Sequence, residues 1–234
     1  LSIDIGYTQG ELVSLIEKTL NVNDMETDVH IRLIVSRGLK KTPYQHPNVN
    51  VGGSSIVIIP EHKKADKEVN EKGIRLITVN TRRGTPDSQD PRLNTLSKLN
   101  CIIACMEAEK AGVDEGIMLD VNGNVSTCNS TNFFILRKGD IWTSTGKYCL
   151  PGVTRKTVID ICKENNIVTK EKDFTIEDVH SADEAFVTGT FAGIIPVVEI
   201  DRHEISGGSR GEFTYILQNL YIEKLSKLYS GKTN

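Results

Sequence analysis

An α+β fold in two unequal parts is what this sequence predicts, and three observations carry the prediction. Helical and strand-like periodicities are intermixed along the chain, with tight hairpins between strands and single helices between hairpins, an order that argues against regular β-α-β alternation. The stretch Arg82–Pro91 holds charge, Gly84, Pro86, Asp87 and Asp90 with almost no apolar residue, which reads as a connector rather than an element. The 234 residues, 38% of them hydrophobic, can bury a sizeable core and fit one large domain or two small ones; the connector favours two. The expected division is an N-terminal α/β domain at 1–83, an interdomain connector at 84–91 and a second domain at 92–234.

The elements follow in order. Thr8-Gln9-Gly10-Glu11 is a capping box, and Leu12, Leu15, Ile16 and Leu20 fall on one face of the helix it opens, which should end near Asn21–Asn23. Val29–Ser36, Ser54–Pro60 and Gly73–Asn80 are β-branched runs bounded by turn residues, hence three strands. After the connector, Leu99, Ile102, Ile103 and Met106 mark an amphipathic helix that Gly112 terminates. Gly116–Val121 and Val125–Thr127 form a hairpin through Asn122-Gly123, a pair suited to the positive φ angles of a type I′ turn. Phe133–Arg137 and Ile141–Ser144 repeat it around Lys138-Gly139-Asp140. A helix at Gly152–Asn166, strands at Glu184–Thr190 and Pro196–Ile200, and an amphipathic helix at Glu212–Tyr229 complete the chain.

Charge and cysteine usage narrow the function classes. A net charge of −3 and a pI near 6.0 leave no basic face for nucleic acid. No apolar run approaches the roughly 20 residues that cross a bilayer, and the first residues form no secretion signal. An intracellular, cytoplasmic protein acting on small molecules is expected. Cys101, Cys105, Cys128, Cys149 and Cys162 are an odd, widely spaced set, which fits reduced thiols rather than a disulfide framework. Cys101 and Cys105 lie one helical turn apart, yet the histidines offer no matching ligand spacing, so no metal site is expected.

Two places read as anion sites on physical grounds. Val153 and Thr154 open a helix directly after Pro151-Gly152, and free N–H groups at a helix start, with a hydroxyl beside them, suit a phosphate. Gly189-Thr190 ends an apolar strand in a small-residue turn, where backbone amides and the Thr190 hydroxyl can grip the same group from another side. Arg37, at a strand end before Gly38, has the planar donor set that suits a carboxylate.

The ordered motifs resemble a known family. Ile31–Gly38, Glu107-Ala108 with Ala111-Gly112, Met118-Leu119-Asp120 with Gly123-Asn124-Val125, Asn132-Phe133-Phe134, Leu150–Arg155, Phe186–Thr190, and Pro196-Val197 with Ile200-Asp201 are together similar to class IV pyridoxal-phosphate aminotransferases, of the branched-chain or D-amino-acid type. The likeness runs from about Thr8 to Tyr229. It implies a two-domain fold with a small N-terminal α/β domain and a larger C-terminal α/β pseudo-barrel, a homodimer, and pyridoxal 5′-phosphate in the cleft between the domains. The substrates it implies are amino acids and 2-oxo acids. Val153, Thr154, Gly189 and Thr190 would hold the phosphate, with Asn129 and Ser130 nearby, and Arg37 would hold the substrate carboxylate.

Two positions depart from that family. Asn94 stands where the Schiff-base lysine is expected, and Thr127 where a glutamate pairs with the pyridine nitrogen. Lys98 follows Asn94 by four residues; on a helix that is about 6 Å of rise on the same face, so its amine is the expected substitute base, provided burial makes a neutral amine available. A hydroxyl at 127 cannot keep the ring nitrogen protonated as a carboxylate does. The upstream family segment with a phosphate-holding arginine has no counterpart before Leu1, so the chain reads as a truncated form whose exposed sheet edges invite pairing. Two alternatives to transamination stay open: a catalytically degenerate, cofactor-independent ligand-binding scaffold, and β-elimination of the aminodeoxychorismate-lyase kind.

Overall fold

The hydroxyl of Thr8 accepts from the Glu11 N–H, and the Glu11 carboxylate accepts from the Thr8 N–H in return; this reciprocal cap opens helix α1 (Gln9–Val22) where the sequence placed it. Strand β1 (Val29–Ser36), the short β2 (Leu39–Lys40) and β3 (Asn50–Val51), and β4 (Ser55–His62) follow. β1 and β4 pair antiparallel from Val29 opposite His62 to Ser36 opposite Ser55, and β2 pairs with β3. The computed structural model describes residues 1–229, and these elements make up the first of two compact units, Leu1–Ala65. No helix among the described residues is long and apolar enough to cross a membrane.

The second unit begins at Asp66 with α2 (Lys67–Lys72) and β5 (Ile74–Thr78), then α3 (Pro86–Gln89), α4 (Leu99–Ala111), β6 (Glu115–Leu119), β7 (Val125–Cys128), β8 (Asn132–Arg137) and β9 (Asp140–Thr143). It continues through α5 (Val153–Glu164), β10 (Thr169–Glu171), α6 (Ile176–His180), β11 (Glu184–Gly189), β12 (Gly193–Ile200), β13 (His203–Glu204) and α7 (Glu212–Tyr229). One mixed sheet runs β10-β9-β8-β11-β12-β5-β6-β7, with β13 alongside β12. The division therefore falls ahead of β5 and not at 84–91. Ile74–Thr78, read with the N-terminal domain, pairs parallel to both β12 and β6, and its buried Ile74 and Leu76 belong to the larger core. The expected connector is not featureless either: Pro86, at a helix-compatible first position, starts the single turn α3.

The sheet is buried on both faces. On one, Phe134 and Phe186 stack with centroids 4.9 Å apart and pack with Val158 and Ile161 of α5 and Leu217 of α7. On the other, Ile117, Phe133, Ile135, Ala185 and Val187 pack with Phe174 and Val179. Glu184 ties the two kinds of element together, because its carboxylate accepts from the N–H groups of Phe213 and Thr214 at 2.9 and 2.8 Å and so caps the start of α7.

Two local expectations are corrected. At Asn122-Gly123 only Gly123 has positive φ, and the loop is organised by Asp120, whose Oδ1 accepts from the N–H groups of Asn122 and Asn124; the two-residue turn with both φ angles positive is Lys138-Gly139. The apolar residues expected to form the packed face of α4, Leu99, Ile102, Ile103 and Met106, are exposed, and Ala104 and Ala108 are buried instead. Gly116 gives the reason. A Cβ there would lie 2.5 Å from Val79 Cγ1 and 3.1 Å from the Ala104 carbonyl oxygen, so the helix backbone lies close against β6 and only small side chains fit beneath it.

Candidate functional site

Helix α5 begins without a side-chain cap: Gly152 at its N-cap has none to offer, and no acceptor for the Val153 and Thr154 N–H groups occurs among the described residues. α3 and α4 also begin without a side-chain cap, whereas Glu184 serves the start of α7. Gly152 is required by packing, since a Cβ would lie 2.3 Å from Asn132 Oδ1. Asn132 is held in turn by donation from Nδ2 to the Leu150 carbonyl at 3.0 Å. In the β8–β11 pairing Asn132 stands opposite Thr188. The neighbouring same-face pair is Phe134 and Phe186, which α5 covers, and alternation along the strands therefore turns Asn132 and Thr188 toward α5 as well. Thr188 is 2% exposed and its hydroxyl finds no partner among the described residues. Gly189 ends that strand and Thr190 opens the exposed turn to β12. Asn132 thus adjoins the predicted corner at Val153–Thr154 through Gly152 and pairs with Thr188, the residue before Gly189–Thr190.

Asn94 and Lys98 meet, but not on a helix. Residues 92–98 are irregular, α4 starts only at Leu99, and Lys98 is its N-cap with φ −124° and ψ 29°. The Lys98 side chain folds back so that Nζ donates to Asn94 Oδ1 at 2.9 Å. The expected proximity is met through the loop, whereas the expected burial is not: both residues are exposed.

Thr127 is 4% exposed on β7, and its hydroxyl donates to the Thr131 carbonyl at 2.6 Å. With the proton committed there, Oγ1 offers only lone pairs. Asn129 and Ser130 are engaged within the chain. Asn129 Oδ1 accepts from the Gly116 N–H at 2.7 Å, and Ser130 Oγ donates to Glu115 Oε1 at 2.6 Å. Thr131 Oγ1 donates to the other Glu115 oxygen at 2.7 Å. Burial pushes the Glu115 carboxyl above the usual carboxylate range, against the pull of those two hydroxyls. Burial first and the Glu115 charge second raise the adjacent Cys128 thiol well above its usual value.

Arg37 belongs to the first unit, where its guanidinium donates to the backbone carbonyls of Ser2 and Leu1. Arg155, on α5, is structural: it donates to the Ser144 carbonyl and to Glu171, each at 2.7 Å. Glu107, part of the α4 motif, accepts from the Thr81 hydroxyl and from the N–H groups of Asn80 and Thr81. The Thr81 hydroxyl, first among these donors, holds its carboxyl below the ordinary value. Sequence reasoning gave Asn132 and Thr188 no role. Their signal was present, a polar residue at the end of each of the apolar runs Asn132–Ile135 and Ala185–Thr188, where a buried polar side chain needs a partner.

Comparison with known proteins adds a family, several relatives and a solved structure. Residues 1–200 match the family profile of amino-transferase class IV. Branched-chain-amino-acid aminotransferase-like protein 2 of Arabidopsis thaliana is 38% identical over 214 residues, 92% of this chain. The chain spans only 38% of that relative's length and 40% of a second Arabidopsis relative's. The putative branched-chain-amino-acid aminotransferase of Methanocaldococcus jannaschii is 36% identical over 228 residues, covering 97% of this chain and 77% of that protein. Among solved structures, the branched-chain amino acid aminotransferase of Thermobaculum terrenum in its PLP-form is similar at a TM-score of 0.84 and 26% identity, over 95% of this chain and 72% of that one.

Proposed function

Because the chain belongs to the class IV aminotransferase family, we propose that it transfers amino groups between amino acids and 2-oxo acids, of the branched-chain or D-amino-acid kind, with pyridoxal 5′-phosphate bound in its second unit. The observation that carries this reading is the uncapped start of α5, set around Asn132 against the Thr188 hydroxyl that lacks a partner and the strand end Gly189-Thr190. Helix N–H groups, a buried hydroxyl without an acceptor and a second small-residue corner are the donor set a phosphate dianion requires. The residues present fit the cofactor's phosphate.

The Val153 and Thr154 N–H groups and the hydroxyls of Thr154 and Thr190 would bind the phosphate. When bound, the cofactor supplies an aldehyde that takes up an amino group and a ring that withdraws electrons from the carbon carrying it. Thr127 Oγ1, its own proton donated to Thr131, would accept a hydrogen bond from a protonated ring nitrogen but would not enforce that protonation. Lys98 Nζ, steadied by Asn94 Oδ1, would carry the proton between substrate carbon and solvent. Arg37 would take the substrate carboxylate, and a homodimer is the assembly the family implies.

Borohydride fixation after incubation with pyridoxal phosphate, read by mass spectrometry, tests the proposal. A label on Lys98 that is absent from Lys98→Ala supports it. Cofactor retained without any lysine label removes Lys98 from the chemistry, and no retention identifies a scaffold that has given up the cofactor. Pyruvate released from a chorismate-derived amino acid without amino transfer would replace transamination by β-elimination.

A further inference from the structure

Along β12 the register slips by one residue. Val197 stands opposite Ile74 and Glu199 opposite Arg75, so two steps on β12 match one on β5 and Val198 is the extra residue of a bulge. Without the bulge Glu199 would share the face of Val197, which lies in the core with Ile74. With it, Glu199 turns to the other face, beside Arg75 and on the side where Ile77 packs with Ala104 of α4. The turn that follows is a second one with both φ angles positive. Asp201 and Arg202 join β12 to β13 at φ 53° and 67°, left-handed values that an arginine adopts only against a steric cost. The Asp201 carboxylate fastens this turn to β5, accepting from the N–H and the hydroxyl of Thr78 at 2.6 and 2.7 Å. Strained positions of this kind cluster where a side chain serves a ligand.

Glu199, Arg75 and Arg202 line one cavity of about 310 Å³, formed wholly within the second unit, at the small end of the roughly 300–1,000 Å³ typical of ligand pockets. Ile77, Ala111 and Val113 supply its apolar wall. The two arginines are exposed and Glu199 is half-buried. Although Arg75 and Glu199 stand opposite each other in register, none of the three charged side chains makes an ion pair among the described residues; the ion pairs found belong to others. Arg75 uses one of its five N–H donors on the Gly112 carbonyl, at 2.9 Å. Arg202 and Glu199 have no side-chain partner among the described residues, while Asp201, the other carboxylate in the lining, is occupied by Thr78. We propose that this cavity binds a phosphorylated sugar or polyol, its phosphate between Arg75 and Arg202 and two neighbouring hydroxyls on Glu199. Paired guanidiniums suit a phosphate dianion. Glu199, an acceptor only, repels a bare anion and needs donors; vicinal hydroxyls provide them without adding charge. The site is separate from the corners at Val153–Thr154 and Gly189–Thr190 and from Asn94, Lys98 and Thr127, none of which lines it, and it does not rest on the aminotransferase reading.

Glucose 1-phosphate, which has no free aldehyde to react with lysine, is the probe. Calorimetric titration of the unaltered protein without added cofactor, at constant ionic strength, should show binding in the millimolar range or tighter. Glucose and inorganic phosphate should each bind several-fold more weakly, because each lacks half of the match. Arg202→Gln and Glu199→Gln change positions that solvent reaches, outside the proposed catalytic machinery, and should weaken binding several-fold while thermal unfolding stays as in the unaltered protein. Absence of binding would overturn the proposal. So would inorganic phosphate or glycine binding as tightly as the sugar phosphate, or binding undiminished in either folded variant, which would put the ligand somewhere else on the protein.

Discussion

Asn132 and Thr188 face each other across β8 and β11, and among the described residues only the first finds a partner for its side chain. Asn132 is fixed by the Leu150 carbonyl and fills the space that Gly152 leaves, whereas the Thr188 hydroxyl is buried with no partner. Two helices in this unit start against β11, and their starts are treated differently. α7 receives the carboxylate of Glu184; α5 receives no side-chain cap from the described residues. The first N–H groups of α5 and the Thr188 hydroxyl are donors that water or an anion can meet.

Gly152→Ala should cost about 1–3 kcal/mol of folding stability by overpacking. At φ −63° alanine meets no backbone penalty, so the cost is the clash with Asn132 Oδ1 at 2.3 Å. Gly189→Ala is the matched control, since its Cβ would meet only Thr131 Cγ2 at 3.5 Å. Urea unfolding of both variants checks this; equal losses would show that the Asn132 contact is not what demands glycine.

Thr188→Val should leave stability unchanged or raise it by about 1 kcal/mol in the absence of phosphate, because it removes a buried hydroxyl that makes no hydrogen bond. At the same time it should weaken pyridoxal phosphate binding several-fold. Thermal unfolding with and without the cofactor gives both readings, and a destabilised apo-protein would mean that the hydroxyl has a partner after all.

Much of this was legible before any coordinates. Caps and turn residues act locally: Thr8 and Glu11 opened α1, and Gly112 ended α4, where the pattern placed them. Val29–Ser36 and Glu212–Tyr229 matched to the residue. What was missed depends on neighbours distant in sequence. Ile74–Thr78 reads as a strand of either domain until its partners, β12 and β6, are known. The apolar stripe of α4 is displaced from the core by a glycine on another strand. Near α5, the helix start and the small-residue turn were readable in the sequence, but the pairing of Asn132 with Thr188 is a matter of register. Lys98 and Asn94 were paired by helical spacing and are paired in fact by a loop.

Glu115 should make stability depend on pH in a direction opposite to that of a salt-bridged carboxylate. Burial raises its carboxyl in the folded protein, so the folded state binds its proton more tightly than the unfolded chain does. The stability this contributes is present at pH below the unfolded value and declines as pH rises through the folded one. Glu115→Gln removes the titration. The stability of the wild type relative to that variant, from urea unfolding at successive pH values, should fall as pH rises from mildly acidic toward neutral. A constant or rising difference contradicts the assignment.

The Arg155–Glu171 pair should be strongly asymmetric to mutation. Arg155 has 9% of its side chain exposed and Glu171 has 47%, so the carboxylate is half in water while the guanidinium is not. Removing Glu171 by Glu171→Gln leaves Arg155 its bond to the Ser144 carbonyl, and an amide oxygen can still accept; the loss should be about 0.5–1 kcal/mol, the range of exposed pairs. Arg155→Ala removes both bonds and opens a hole beneath the first turn of α5, where Arg155 is packed, and should cost about 3–5 kcal/mol as other broken buried pairs do. Since Ser144 also donates to the Ser126 carbonyl on β7, the loss should carry into the hairpin that holds Thr127, so cofactor affinity should fall in Arg155→Ala and stay near wild type in Glu171→Gln. Urea unfolding and cofactor titration of the two variants measure the asymmetry, and similar costs for both would mean that the pair, rather than the buried guanidinium and its backbone bond, is what secures α5.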